Sequence, residues 1–171
     1  MKVILLLASL ALAFNASASD STGIPRLTMD DVRDSHYNAG ELSFDGFALG
    51  RLQQVPQVTY GGGLGANWFP FRAAGLGIAV RSEDTEHSFI DDLDSKLIAR
   101  LPWNRFALNF GIGSTFNFER DKWSVFAEAG PEVRIRQGVG LFGTIRGVRP
   151  IAGADGEHVL VMVGVRIKLT K

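Results

Sequence analysis

Residues 106–118 read FALNFGIGSTFNF. Phe106, Leu108, Phe110, Ile112, Phe116 and Phe118 share one parity; Ala107, Asn109, Gly111, Gly113, Thr115 and Asn117 share the other. A β-strand sends alternate side chains to opposite faces, so this stretch predicts one strand with an aromatic–aliphatic face and a small or polar one. A soluble barrel would turn the phenylalanines inward. A membrane barrel would turn them out into lipid, so the choice of face decides the class of function.

The same alternation recurs on either side of that stretch. Eight strands are predicted: Glu41–Arg51, Pro56–Asn67, Ala74–Glu83, Asp94–Pro102, Arg105–Phe118, Lys122–Ile135, Val139–Arg149 and His158–Leu169. Several exceed the usual five or six residues and match the roughly 9–11 tilted residues that cross a bilayer. Connections two, four and six read as short (WFPFRA, WN, RQG), and one, three and seven as longer, which fits an outer-membrane barrel with both termini on the short-turn side. The expected class is all-β, an eight-stranded antiparallel up-and-down transmembrane β-barrel.

Across the strands one parity collects Leu42, Phe44, Val58, Tyr60, Leu64, Trp68, Leu76, Ile78, Leu97, Leu101, Trp123, Val125, Leu141, Ile145 and the valines of the last strand. The other carries Glu41, Asp45, Arg81, Lys96, Arg100, Glu128, Glu132, Arg134, Arg146, Arg166 and Lys168, with Gly61, Gly63, Gly65, Gly75, Gly77, Gly111 and Gly113. Seven glycines would weaken strands facing water, but they suit a narrow lumen that only just holds side chains. Charges of both signs on that face suit an interior where ions must pair. A luminal ion network is therefore expected from Asp45, Arg100, Glu128, Glu132, Arg134, Arg146 and Arg166, with Glu128 and Glu132 pairing with Arg134, Arg146 or Arg166 on neighbouring strands. Trp68, Phe69 and Phe71 at one turn, Trp103 at another, and Trp123 are expected to form interfacial aromatic girdles.

The N-terminus, MKVILLLASLALAFNASASD, reads as a signal peptide over 1–18: Lys2, an apolar run from Val3 to Phe14, and the small residues Ala16-Ser17-Ala18. This twelve-residue, largely apolar run falls short of the about 20 that a spanning helix needs. Residues 19–40 are expected as an N-terminal periplasmic segment, with a short helix capped at Thr28, and 41–171 as the barrel domain. Lys plus Arg equals Asp plus Glu at 18 each, which gives no general argument for a nucleic-acid partner. With no cysteine, disulfides and thiolate chemistry are excluded.

The stretches YGGGLGANWFPFRAAGLGIAVR, LIARLPWNRFALNFGIGSTF and GPEVRIRQGVGLFGTIRGV resemble the small eight-stranded outer-membrane barrels of the OmpA/OmpX-like and opacity-protein type. The resemblance covers about Glu41 to Leu169 and implies location in the cell outer membrane, a structural, adhesive or surface-interaction role, and no enzymatic activity. It also implies outer-membrane lipids and the barrel-assembly machinery as partners of a monomer. Such barrels commonly end in an aromatic residue, whereas this sequence ends RIKLTK.

Chemistry-bearing patterns are few. Glu128 and Glu132 would stand about 13 Å apart on one strand, wider than glycosidase carboxylate pairs, which span about 5–9.5 Å. His36, His87 and His158 show no zinc spacing, the acids around His87 lack the order of a calcium loop, and GGGLG lies inside a strand rather than before a helix. No cofactor or metal is expected. Two alternatives remain: a lipid hydrolase resembling outer-membrane deacylases, using Ser124, His158 and Glu128, and a secreted lipocalin-like barrel holding an apolar ligand.

Overall fold

The computed structural model describes residues 36–52, 58–82, 90–136, 138–151 and 156–169. The expected signal peptide, the helix capped at Thr28 and most of the N-terminal segment lie outside the described residues. Eight strands run β1 (Glu41–Leu52), β2 (Val58–Phe71), β3 (Ala74–Ser82), β4 (Asp92–Trp103), β5 (Phe106–Asn117), β6 (Lys122–Arg136), β7 (Val139–Pro150) and β8 (His158–Lys168). Each pairs antiparallel with its sequence neighbour, and β8 pairs with β1 to close the barrel. Closure leaves no strand edge, which is what a sheet in hydrocarbon requires.

The connections after β2, β4 and β6 take two residues each, and the others take four to nine. The turn after β4 places Asn104 at φ 51°, a left-handed conformation that Asn tolerates better than most residues. Both ends of the barrel chain, Glu41 and Lys168, lie at the short-turn end.

Following the paired residues once round the barrel fixes its geometry. From Arg149 the path passes Val125, Ser114, Ser95, Ile78, Ala66, Phe44 and Ile167, and returns to β7 at Val139, ten residues from its start. A stagger of that size across eight strands tilts them by about 40° from the barrel axis. The tilt lets strands of this length cover an apolar band about 25 Å tall.

Burial is inverted relative to a soluble protein. Arg100 and Glu132 are fully buried at 0% exposure, whereas Ile78 and Val163 are 60% and 59% exposed. The phenylalanines Phe106 and Phe110 of the decisive strand face outward, and Asn109 and Thr115 face the lumen. Polar residues interrupt the outer surface at mid-height, where Ser95 and Ser114 share a hydrogen bond of 3.1 Å, and toward its ends, as at Ser82, at Arg136 and at Arg149 near the loop end of β7.

The main departure from the sequence reading is the second turn. β2 continues through WFPF to Phe71, and its pairing with β3 shifts register between Trp68 and Phe71. The extra residue of this bulge accommodates Pro70, which has no amide hydrogen to give to a regular ladder. Phe69 consequently points into the lumen and is fully buried, correcting its expected place in the girdle. Gly75 makes room for it, since a Cβ there would lie 2.5 Å from Phe69 Cδ1.

Gly164 is a second point of close approach. A Cβ there would meet the Gly46 carbonyl, Phe47 Cβ at 2.7 Å and Phe142 Cζ at 2.8 Å. Gly164→Val should therefore overpack the lumen and cost about 1–3 kcal/mol, read as a lower urea midpoint in refolding titrations.

Candidate functional site: a salt-bridged lumen inside an apolar belt

Inward-facing charges gather into two clusters along the barrel axis. The cluster nearer the short turns holds Glu41, Asp45 and Glu132 against Arg100, Arg134 and Arg166. Arg166 forks onto Asp45 through Nε to Oδ1 at 2.6 Å and Nη2 to Oδ2 at 2.7 Å, and its Nη1 reaches Glu132. Arg134 bridges Glu132 at 2.6 Å and Glu41. Asn67 donates to Asp45 at 2.7 Å and Asn109 to Glu132 at 3.1 Å.

The cluster nearer the loops holds Asp92, Asp94 and Glu128 against Arg81, Lys96 and Arg146. Lys96 donates to Glu128 at 2.6 Å, and Arg146 donates through Nη2 at 2.7 Å to the other carboxylate oxygen of Glu128. Arg146 also pairs with Asp94 and lies 3.8 Å from the centre of the Phe126 ring. Arg81 reaches Asp92 at 3.1 Å and Asp94 at 3.3 Å, while Thr115 donates to Asp94 at 2.7 Å.

Each cluster thus sets three cations against three anions. Neutral, mutually bonded groups are the form in which charge persists in a space with little water. Between the clusters lies a cavity of about 30 Å³ touching Asp45, Lys96, Asn109, Glu128 and Arg166. A space of that size has room for ordered water and nothing larger. A soluble carrier would instead need an apolar chamber here, so this lumen does not provide the ligand cavity that the lipocalin-like alternative requires.

All seven residues expected in the network are luminal, but they do not form one group. Of the arginines open to the two glutamates, Arg146 meets Glu128, whereas Arg134 and Arg166 meet Glu132 and Arg166 also holds Asp45. Glu41, Arg81 and Lys96, already marked by parity, and Asp92 and Asp94 complete the clusters.

Tyr37 had no sequence signal at all. It precedes β1 and is fully buried at the short-turn end, its hydroxyl donating toward the carbonyls of Arg105 (3.3 Å) and Glu132 (3.4 Å). The guanidinium carbons of Arg100 and Arg134 each lie 4.9 Å from its ring centre, and Arg100 stacks at 3.3 Å on Phe69. Two aromatic faces thereby cover a buried cation whose acceptor is Glu41, at 3.3 Å. Tyr37 closes this end of the barrel.

Burial, reinforced by the Glu132 carboxylate, raises the Tyr37 phenol above its ordinary value of 10.0. A raised folded-state value means that the unfolded chain ionises first, so this contribution to stability is present below pH 10 and declines as pH rises above it. Ultraviolet absorbance should show a late-titrating phenol that Tyr37→Phe removes, together with this part of the alkaline destabilisation. His36 shifts the other way, lowered by burial and then by Arg105, Arg134 and Lys168. Its contribution is present above pH 6.5 and is lost as pH falls toward the lowered value.

Outside, aromatic side chains mark both ends of the apolar belt. Trp68, Phe71 and Trp103 are exposed near the short turns. Near the loops, Phe116 packs 5.0 Å from Trp123 and 5.3 Å from Phe118, with Tyr60 exposed at a similar height. An apolar band between aromatic rims is the surface that a bilayer and its two interfaces select.

Solved structures share this architecture. A de novo designed transmembrane β-barrel matches with TM-score 0.59 and 13% identity, covering 77% of this chain and 98% of that one. The fold is that of an eight-stranded transmembrane barrel. The N-terminal β-barrel domain of Pseudomonas aeruginosa OprF (TM-score 0.54, 12% identity, 77% and 98% covered) and the outer membrane protein OprG from Pseudomonas aeruginosa (0.53, 12%, 81% and 100%) share it. The chain matches no protein-family profile and no curated relative.

At the loop end, this transmembrane barrel opens into a vestibule of about 230 Å³ whose lining includes Arg51, Arg81, Asp92, Arg120, Ser124 and His158. Ser124 and His158 share that space, but among the described residues no hydrogen bond joins them. His158 Nδ1 lies 3.3 Å from Arg51 Nη2, and Glu128 is committed to Lys96 and Arg146. The serine hydrolase arrangement, with nucleophile, base and orienting carboxylate in contact, is not assembled.

Proposed function

We propose that the protein is a monomeric, non-enzymatic barrel of a bacterial outer membrane, with its longer connections outside and its short turns in the periplasm. Its role on this reading is structural or surface-interacting, carried by the loops rather than by transport through the lumen. Outer-membrane lipids are its surroundings, and the barrel-assembly machinery is the partner that inserts it. The observation that carries the reading is the pairing of a predominantly apolar exterior, bounded by aromatic rims, with a lumen filled by two neutral ion clusters and capped by Tyr37. Such a lumen offers solutes no continuous aqueous path.

Reconstitution into phosphatidylcholine vesicles tests this. The protein should resist alkaline carbonate extraction, and the vesicles should not swell in an iso-osmotic sugar. Release into the aqueous phase would contradict the membrane assignment, and sugar-driven swelling would contradict the closed lumen.

A further inference from the structure

We infer that Arg149 and the groove beneath it form a binding site for the phosphate-bearing headgroup of an anionic lipid at the loop-side membrane interface. The inference rests on the membrane reading above. Arg149 occupies an outward position of β7, directly across from Val125 of β6. Trp123 lies one outward position above Val125, and the Trp123 carbonyl accepts the amide of Ile151 at 3.0 Å, so Arg149 stands at the height of the loop-side aromatic rim. It is 76% exposed on a surface otherwise made for hydrocarbon. A cation at that depth faces phosphate, not acyl chain.

Below it the surface is hollowed. Gly147, the next outward residue of β7, has nothing within 4 Å of where a Cβ would stand. An open groove of about 690 Å³ runs over Gly147 between Leu52, Val159 and Arg149, with Glu157 and His158 also in its lining. Its apolar walls suit the start of an acyl chain, and its upper rim suits the phosphate. Glu157 approaches Arg149 Nε at 3.3 Å, but it is 71% exposed, and so open a pair is weak and screened. That contact leaves the Nη nitrogens as further donors toward a phosphate. The groove and the cation together select one occupant: a lipid whose headgroup carries net negative charge.

The test uses the full chain with Trp68→Phe and Trp103→Phe, so that Trp123 is the sole reporter, in phosphatidylcholine vesicles. A minority of the lipid is replaced by brominated phosphatidylglycerol or, in parallel, by brominated phosphatidylcholine. Brominated phosphatidylglycerol should reach Trp123 with about fivefold preference, the effect expected of one cation beside an anionic lipid. Arg149→Gln should abolish the preference, Arg149→Lys should retain most of it, and Glu157→Gln should strengthen it. Equal quenching by the two lipids, or a preference that survives Arg149→Gln, would overturn the site and leave the barrel reading intact. Loss of the preference on adding inorganic phosphate would replace the lipid site with a general anion site. Quenching by neither lipid would overturn membrane insertion, and the site with it.

Discussion

Glu128→Ala should destabilise the folded barrel by about 3–5 kcal/mol, the cost of removing one partner from a buried ion pair. Glu128 is the carboxylate on which Lys96 and Arg146 converge, at 2.6 and 2.7 Å. Its loss leaves two cations sharing the remaining acids of the loop-side cluster, where little water can replace the missing oxygens. The deleted side chain also leaves space against Gly111, whose would-be Cβ lies 2.7 Å from Glu128 Cγ. Combining Glu128→Ala with Arg146→Met, which keeps an unbranched apolar side chain beside Phe126, should recover part of the loss. The cycle, measured by urea refolding, should give a coupling well above the roughly 0.3–0.5 kcal/mol within which independent sites add. Arg166 belongs to the other cluster, so the cycle of Glu128 with Arg166 should lie closer to additivity. Strict additivity between Glu128 and Arg146 would mean that these charges do not meet.

Val163→Arg should cost about 2–4 kcal/mol in a bilayer, the range for a cation at mid-membrane on the lipid face of a barrel. Val163 is outward on β8, paired with Ala48 of β1 and Gly143 of β7. Small neighbours on both sides leave an arginine there no carboxylate to meet. Counting along the tilted strands puts it about midway between the aromatic rims, too deep for its guanidinium to snorkel cheaply to either interface. The same substitution at Val159, near the loop-side rim, should cost much less. A loss that did not depend on depth would point to disrupted packing and not to lipid exposure.

The contrast between Val163 and Glu128 shows what the sequence makes legible. A period of two assigns every strand residue to a face, and an apolar run such as that of β8 leaves no ambiguity about which residues travel together. Parity says nothing about height along the barrel. Whether Glu128 meets Arg146 or Arg166 depends on the stagger between strands, and that emerges only when the sheet closes. Phe69 was hidden for a different reason. Three aromatics around Pro70 look like a turn, but a bulge absorbs the proline and the alternation runs on to put Phe69 inside. Arg149 shares parity with Leu141 and Ile145, yet its place near a strand end masks its outward position on the apolar surface. Tyr37 belongs to no alternating stretch, and its burial is created by Arg100, Arg134 and the strand carbonyls that receive it.

The absence of cysteine from the chain allows the central claim, that the apolar face meets lipid, to be measured without background. Single cysteines placed at Val159, Val161, Val163, Val165 and Ile167, spin-labelled in bilayers, would report collisions with oxygen dissolved in lipid and with a water-soluble nickel chelate. Oxygen collisions should dominate along the series and be strongest at position 163, with chelate contact rising only toward the two ends. Uniformly high chelate contact through the middle of the series would place that face in water and contradict the account.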